Sequence, residues 1–273
     1  LGGRWALLWP RDAPDPGTSV LAPHGPQVMV QADHGDVVIG PSEDGMVHVQ
    51  TRISNGLATP HLEEEPTATG IRLSASCPFL FGNCTVDYDV RVPPTLGVEV
   101  FTTSGEVTVR AVGGGARAET SSGDITITDV TGPVQLRSST GKITASALHS
   151  PTISSETSSG DITITDATGP VQLHSSTGKI TASALHSPTI SSETSSGDIE
   201  LKTLVPPDTV TATSSTGDVD IVLPDSVRYR VETDTDVGDE HVTVPLDSAA
   251  SRLVRVNTSA GDITVRAAAP TPR

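Results

Sequence analysis

Ser139-Thr140-Gly141-Lys142 and its copy Ser176-Thr177-Gly178-Lys179 come nearest to a catalytic motif in this chain. Both match the S-x-x-K spacing of acyl-serine enzymes, where a lysine one helical turn away takes up the serine proton. Here a glycine sits inside the motif and the four residues read as a repeated tight turn, with no Lys-Thr-Gly or Ser-Asp-Asn partner elsewhere. The Thr-Gly-Lys string also resembles the end of a phosphate loop, but Ile follows the lysine and the first glycine is missing. His149 and His186 are copies of one position in a Leu-His-Ser-Pro corner and read as solvated rather than as paired ligands. No Ser/His/Asp arrangement stands out among so many serines. The expectation is that the chain is not an enzyme and carries no cofactor.

Cys77 and Cys84 frame the loop CPFLFGNC. CxxC spacing and a surrounding His/Cys cluster are both absent, so zinc is a poor fit. A local disulfide Cys77–Cys84 fits better, and it implies an oxidising, extracytoplasmic compartment.

One outward-facing array could bind something. Thr126 with Thr128, Thr144 with Ser146, Thr163 with Thr165, and Thr181 with Ser183 would form a flat, nearly uncharged hydroxyl surface. Such a face can lie on a glycan or, in Thr-x-Thr arrays, on ice. Equally, threonine has high strand propensity and keeps an exposed sheet soluble.

These residues are positioned by a repeat. Residues 119–155 return at 156–192 with Val130→Ala167 and Arg137→His174 as the differences. Repeat arrays absorb a copied unit because each unit touches only its neighbours. Within the copy runs a shorter rhythm, Ser/Thr-Gly-charge-Ile/Val, at Gly105, Gly123, Gly141, Gly160, Gly178, Gly197, Gly217 and Gly261, with a degenerate form at Gly238. The first six intervals are 18, 18, 19, 18, 19 and 20 residues, so the duplicated unit is two coils.

Each coil carries two runs of alternating polarity. Ile125 and Ile127 alternate with Thr126 and Thr128, and Val134 and Leu136 with Gln135 and Arg137. Period-two alternation rich in β-branched residues predicts half-buried strands, and no stretch carries a helical period. The fold class is all-β: a single-stranded β-solenoid of about 18–20 residues per coil, with two short strands per coil stacked in parallel ladders roughly 4.8 Å apart. Candidate strands at 27–32, 46–52, 71–75 and 85–92 make an irregular β N-terminal cap that covers the first open edge. The expected organisation is 1–19 as anchor remnant or linker, 20–104 as irregular N-terminal region, 105–267 as solenoid and 268–273 as tail.

Stacking places equivalent residues side by side. The position after the turn glycine reads Glu106, Asp124, Lys142, Asp161, Lys179, Asp198, Asp218; four before it stand Glu119, Arg137, Glu156, His174, Glu193. Both columns alternate in sign through the copied region, which favours this register by roughly 0.2–1 kcal/mol per pair. The lysines interrupt any calcium-like acidic column; only Asp198 and Asp218 are consecutive and unopposed, and they read as solvated carboxylates.

Composition limits the partners. The 273 residues carry a net charge of −16 and about 3% aromatics. That acidity disfavours nucleic acid and anionic membrane surfaces. The opening LGGRWALLWP is too short to span a bilayer, which takes about 20 apolar residues. It reads as the tail of a signal peptide or anchor followed by a Pro/Asp-rich linker, or as a frayed or expression-derived N-terminus. Any membrane association would therefore run through an N-terminal anchor.

The turn signature, its spacing and the lead-in VDYDVRVPPTLGVEVFTTSGEVTV at 86–109 resemble the bacterial β-strand-repeat family named "putative adhesin", a domain of unknown function. The cysteine loop before the V-x-V-P segment is similar to that of secreted or membrane-anchored members. The resemblance covers roughly residues 20–267. It implies a cell-envelope location, a non-enzymatic structural or interaction role, and a cell-surface protein or glycan as partner. It supplies no catalytic residues.

Overall fold

The computed structural model describes residues 17–55, 60–77 and 84–268, and all its regular elements are strands. Most of the 1–19 segment, the interior of the cysteine loop at 78–83 and the tail beyond 268 lie outside the described residues. No described helix is long and apolar enough to cross a membrane.

The strands form two sheets, of 13 and 12 strands. Each coil gives one strand to each sheet, and the turn glycine joins them. Ala116–Ser122 enters the 12-stranded sheet and Ile125–Val130 the 13-stranded one; Val134–Thr140 and Ile143–His149 follow in the same places one coil on. All pairings between these coils are parallel and in the register read from the glycines: Ile125 lies beside Ile143, Ile162 and Ile180 in succession, and Val134 beside Ile153, Val171 and Ile190. The chain is thus a β-solenoid.

Its core is the narrow space between the sheets. Ile125, Ile127, Ile143, Ile162, Ile164 and Ile180 are fully buried there. Each such side chain is worth roughly 1.5–3 kcal/mol of burial, so a coil of two short strands is stable only when stacked. Along one inward column of the 12-stranded sheet the residues run Leu136, Ser155, Leu173, Ser192, large beside small, all buried.

The turn is dictated by close approach. A Cβ on Gly178 would collide with the carbonyl of Gly160, and one on Gly261 with that of Gly217. Both also have φ of +147, which L-residues resist. Inward hydroxyls three positions before the glycine tie one coil to the last: Ser138 donates to the Gly123 carbonyl (3.2 Å), Ser175 to Gly160 (3.1 Å) and Ser214 to Gly197 (3.1 Å).

Both ends depart from chain order. The expected N-terminal strands appear as Gln27–His34, Val47–Asn55, Gly70–Ser76 and Cys84–Val92. Gln27–His34 and Val37–Pro41 form a regular coil turning at Gly35, a glycine absent from the sequence rhythm above. That coil is inserted between Gly70–Ser76/Cys84–Val92 on one side and Gly97–Ser104/Val107–Val112 on the other. The irregular cap beyond it is antiparallel: Val47–Asn55 on Cys84–Val92, Thr18–Leu21 on Val47–Asn55, and His61–Pro66 on Gly70–Ser76. At the other end Leu253–Ala260/Ile263–Ala267 likewise lies between Thr209–Thr216/Val219–Leu223 and the terminal pair Arg230–Val237/Glu240–Val242. In this last pair Val231 and Val242 still pack against the core, but Thr233 donates to the carboxylate of Glu240 where other coils carry aliphatic residues. Polar groups turned toward solvent at the end of the stack are what a terminal repeat needs.

Candidate functional site

The hydroxyl array forms as the alternation requires. Thr126, Thr144, Thr163 and Thr181 are ladder neighbours, and so are Thr128, Ser146, Thr165 and Ser183. All eight point away from the core. Thr165 is exposed and the other seven are half-buried, because strands on both sides cover their flanks. Thr128 and Ser146 share a hydrogen bond of 3.4 Å. Past Thr181 the first row continues as Glu200 and Asp220, and past Thr128 the second meets Arg110. The neutral patch is therefore bounded at both ends by charge.

The charged column on the opposite sheet is paired in the expected sense. Arg137 donates to Glu156 at 2.9 Å and lies 3.9 Å from Glu119; His174 is 3.8 Å from Glu193. The hydrogen bond that Arg137 donates to Glu156 raises its pKa, and the one that Lys179 donates to Glu200 does the same for the ammonium.

The column after the glycine works differently from a row of side-chain charges. Each aspartate accepts a hydrogen bond from the backbone N–H of its counterpart in the next coil: Asp124 from Lys142 (2.7 Å), Asp161 from Lys179 (2.9 Å), Asp198 from Asp218 (3.1 Å). The same bond links Asp218 to Asp262 and Asp262 to Asp239, so four aspartates stack without alternation. Asp198 and Asp218 are thus committed to backbone N–H groups. Among the described residues no group of three or more His, Cys, Asp or Glu could hold a metal ion.

Ser139 and Lys142 sit at the two sides of a turn, with Ser139 in strand Val134–Thr140 and Lys142 just past Gly141. His149 and His186 are exposed and separated in the ladder by Thr168. Cys77 and Cys84 are joined by a disulfide, their Cα atoms 5.7 Å apart. They flank the corner between Gly70–Ser76 and Cys84–Val92, so the disulfide marks the corner where other coils turn on a glycine.

One residue escaped the sequence reading. Phe101 lies on the outer face of the 12-stranded sheet, between Gln31 and Glu119, with the Arg117 guanidinium 5.5 Å from its ring centroid. An aromatic side chain at an outward position in a chain so poor in aromatics was the available signal.

The family model of Toastrack DUF4097 matches residues 27–266. No curated protein matches the chain. Two crystal structures are similar to it at low identity. One, titled a "putative cell adhesion protein" of Clostridium sporogenes, is 10% identical with a TM-score of 0.26, over 93% of this chain and all of the other. The second, a "putative adhesin" of Bacteroides fragilis, is 13% identical with a TM-score of 0.47, over 92% of this chain and 96% of the other.

Proposed function

The chain belongs to the Toastrack DUF4097 family, and from that premise we propose that it is a non-enzymatic, extracytoplasmic interaction module of the cell envelope, adhesin-like in role. The observation that carries the reading is the near-identical pair 119–155 and 156–192, folded into coils that stack in one continuous register. A function built on a long surface tolerates such a copy, whereas an enclosed catalytic site does not. The Cys77–Cys84 disulfide supports an oxidising compartment. The net charge of −16 directs the search for partners toward cell-surface proteins or glycans rather than nucleic acid or anionic lipid. The test is to localise the full-length protein by fractionation and surface labelling, with the thiols of Cys77 and Cys84 titrated in the same sample. Surface exposure with both thiols blocked is expected. Recovery in the cytosol with both thiols free would overturn the reading.

A second reading rests on the eight aligned hydroxyls of the 13-stranded sheet. A flat neutral array of this kind suits a glycan or ice surface. Replacing Thr126, Thr128, Thr163 and Thr165 with Lys keeps the inward isoleucines and destroys flatness and neutrality. Binding to a cell-wall glycan array, or inhibition of ice recrystallisation, should disappear in that variant if this face carries the function.

A further inference from the structure

The last coil of the stack, Arg230–Val237 and Glu240–Val242 joined at Gly238, has a neighbouring coil on one side only. Coils inside the stack hand hydrogen bonds on to the next. Val134, Gly141 and Ile143 donate their N–H groups to the carbonyls of Thr152, Ser159 and Asp161, and the carboxylate of Asp124 accepts from the Lys142 N–H. Into the last coil, Gly261 and Ile263 donate to the carbonyls of Val237 and Asp239, and Asp262 accepts from the Asp239 N–H. The stacked counterparts in the last coil itself are the N–H groups of Val231, Gly238 and Glu240 and the carboxylate of Asp239. Arg230 bonds inward to the Arg252 carbonyl, so alternation along the strand turns the backbone of Val231 and Thr233 to the open side. Among the described residues nothing meets these groups.

Charge leaves the same vacancy. In the copied region a coil with acids four before the glycine and one after it is followed by a basic coil. Glu119 with Asp124 precedes Arg137 with Lys142, and Glu156 with Asp161 precedes His174 with Lys179. In the last coil those two places hold Asp234 and Asp239, both exposed. The ion pairs of that coil run from Arg230 and Arg255 to Glu232, which leaves Asp234 and Asp239 unengaged among the described residues. The last coil is thus an acidic coil whose basic neighbour is missing.

We propose that this end binds an extended basic segment of another protein, which adds as a parallel strand to Arg230–Val237 and turns past Gly238. This partner deepens the reading of the protein as an interaction module and rests on it. Main-chain hydrogen bonds to Val231, Thr233, Gly238 and Glu240 hold the segment, and cations facing Asp234 and Asp239 select it. The chain itself begins such a strand. Tyr229 donates to the Pro245 carbonyl (2.9 Å) and accepts from the Asp247 N–H (3.0 Å), a parallel bridge with Leu246 that stops after one residue. A further apolar coil has no core to join, because the Thr233–Glu240 hydrogen bond fills the space between the sheets. A second copy of the chain is a poor match as well. Residues 245–247 already occupy part of the layer it would need. Its N-terminal end would set the three glutamates of His61–Pro66 against the carboxylates of Arg230–Val237. That N-terminal end is also blunted against strand addition: one edge strand has four residues and the other ends at Pro66.

The test titrates a labelled peptide with the sequence of residues 131–145, TGPVQLRSSTGKITA, into the full-length protein. In the register of the stack its arginine falls opposite Asp234 and its lysine beside Asp239. A companion peptide carries Arg137→Glu and Lys142→Glu, and the protein is compared with the double variant Asp234→Arg/Asp239→Lys. Fluorescence anisotropy gives the affinities, and amide hydrogen exchange followed by NMR locates the peptide. Wild type should bind the basic peptide about tenfold more tightly than the acidic one. Exchange should slow at Val231, Thr233, Gly238 and Glu240. The double variant should melt near wild type, since both residues are exposed, lose about tenfold for the basic peptide and prefer the acidic one. Wild type that binds neither peptide, or binds both alike, would overturn the assignment. So would protection at Thr18–Leu21 or His61–Pro66 in place of the last coil, an unchanged preference in the double variant, or self-association of wild type that protects the same amides. Should the double variant fail to fold, the two peptides on wild type and the site of protection still decide. Surface localisation and thiol state are untouched by these peptides, so the module reading stands or falls separately.

Discussion

Ser155 and Ser192 are inward-facing residues 1% exposed, and their hydroxyls have no partner. Ser155 lies between the larger Leu136 and Leu173, and Ser192 between Leu173 and Ala212. An unsatisfied buried hydroxyl costs on the order of 1–3 kcal/mol, whereas an alanine there buries a methyl group at no such cost. Ser155→Ala and Ser192→Ala should therefore each raise stability by about 1 kcal/mol in denaturant unfolding with unchanged m-value. Ser175 is the control. It is also fully buried, but its hydroxyl donates to Gly160 at 3.1 Å, so Ser175→Ala should lower stability. Equal effects at Ser155 and Ser175 would mean that the inward serines are alike and that the distinction drawn from their partners is mistaken.

At the scale of the strand, the run Ile125–Val130 does not alternate to its end. Asp129 has φ of +57, and the residue stacked in the same place is left-handed in coil after coil: Ala111 (+54), Ala147 (+52), Asp166 (+55), Ala184 (+53). The left-handed residue turns the chain so that Val112, Val130, Leu148, Ala167 and Leu185 face the core, where strict alternation would have pointed them outward. Alanine pays roughly 1–2 kcal/mol for this conformation, which Asn tolerates and β-branched residues resist most. Ala147→Asn should stabilise the protein by about 0.5–1 kcal/mol, Ala147→Val should destabilise it by about 1–2 kcal/mol, and Ala147→Asp should fall between, since it stacks a carboxylate beside Asp129 and Asp166. Thermal unfolding of the three variants gives the order directly; if Val melted above Asn the assigned conformation would be wrong. The sequence made the first four residues of each such strand readable through Ile-Thr-Ile-Thr, and the turn through its glycine. The left-handed position carried no mark, because neither Ala nor Asp announces it. Gly35 escaped for a related reason: His34-Gly35-Asp36-Val37 is a lone turn 70 residues before Gly105, and a rhythm is invisible in a single beat. The insertion of coils 27–41 and 253–267 one place inside each end could not be read at all, since alternation fixes which face of a strand is buried but not which strand lies beside it. For the candidate sites the same limit applies. Threonines two apart in consecutive coils were bound to align, but that Gln31 of the Gln27–His34 coil stands beside Phe101 is a matter of strand order, which no spacing encodes.

For the whole molecule, the question is why the chain duplicated two coils rather than one. Within the copy, inward residues alternate in size and outward residues in charge. Deleting 156–192 joins Ser155 to Glu193, so that Glu193 meets Arg137 and Asp198 meets Lys142 as Glu156 and Asp161 do now. The core column then runs Leu136, Ser155, Ala212, and every neighbour keeps its character. Deleting 160–177 removes one coil and brings like beside like. Ser155 then stacks on Ser192 with Leu173 gone, Glu156 lies beside Glu193, and Lys142 beside Lys179. The two charge pairs change sign at roughly 0.2–1 kcal/mol each. The missing leucine between two small residues leaves space whose cost is of the order of a large-to-small core substitution, about 2–5 kcal/mol. Packing thus outweighs charge in fixing the two-coil period. The 37-residue deletion should unfold cooperatively at a melting temperature near that of wild type, and the 18-residue deletion well below it. Adding Ser192→Leu to the 18-residue deletion should recover more of the loss than adding Glu193→Arg, because the first refills the core and the second only restores a half-exposed pair. If the two deletions melted together, or if the charge reversal rescued better than the leucine, the period would have to be explained by something other than the alternation of volume along the core.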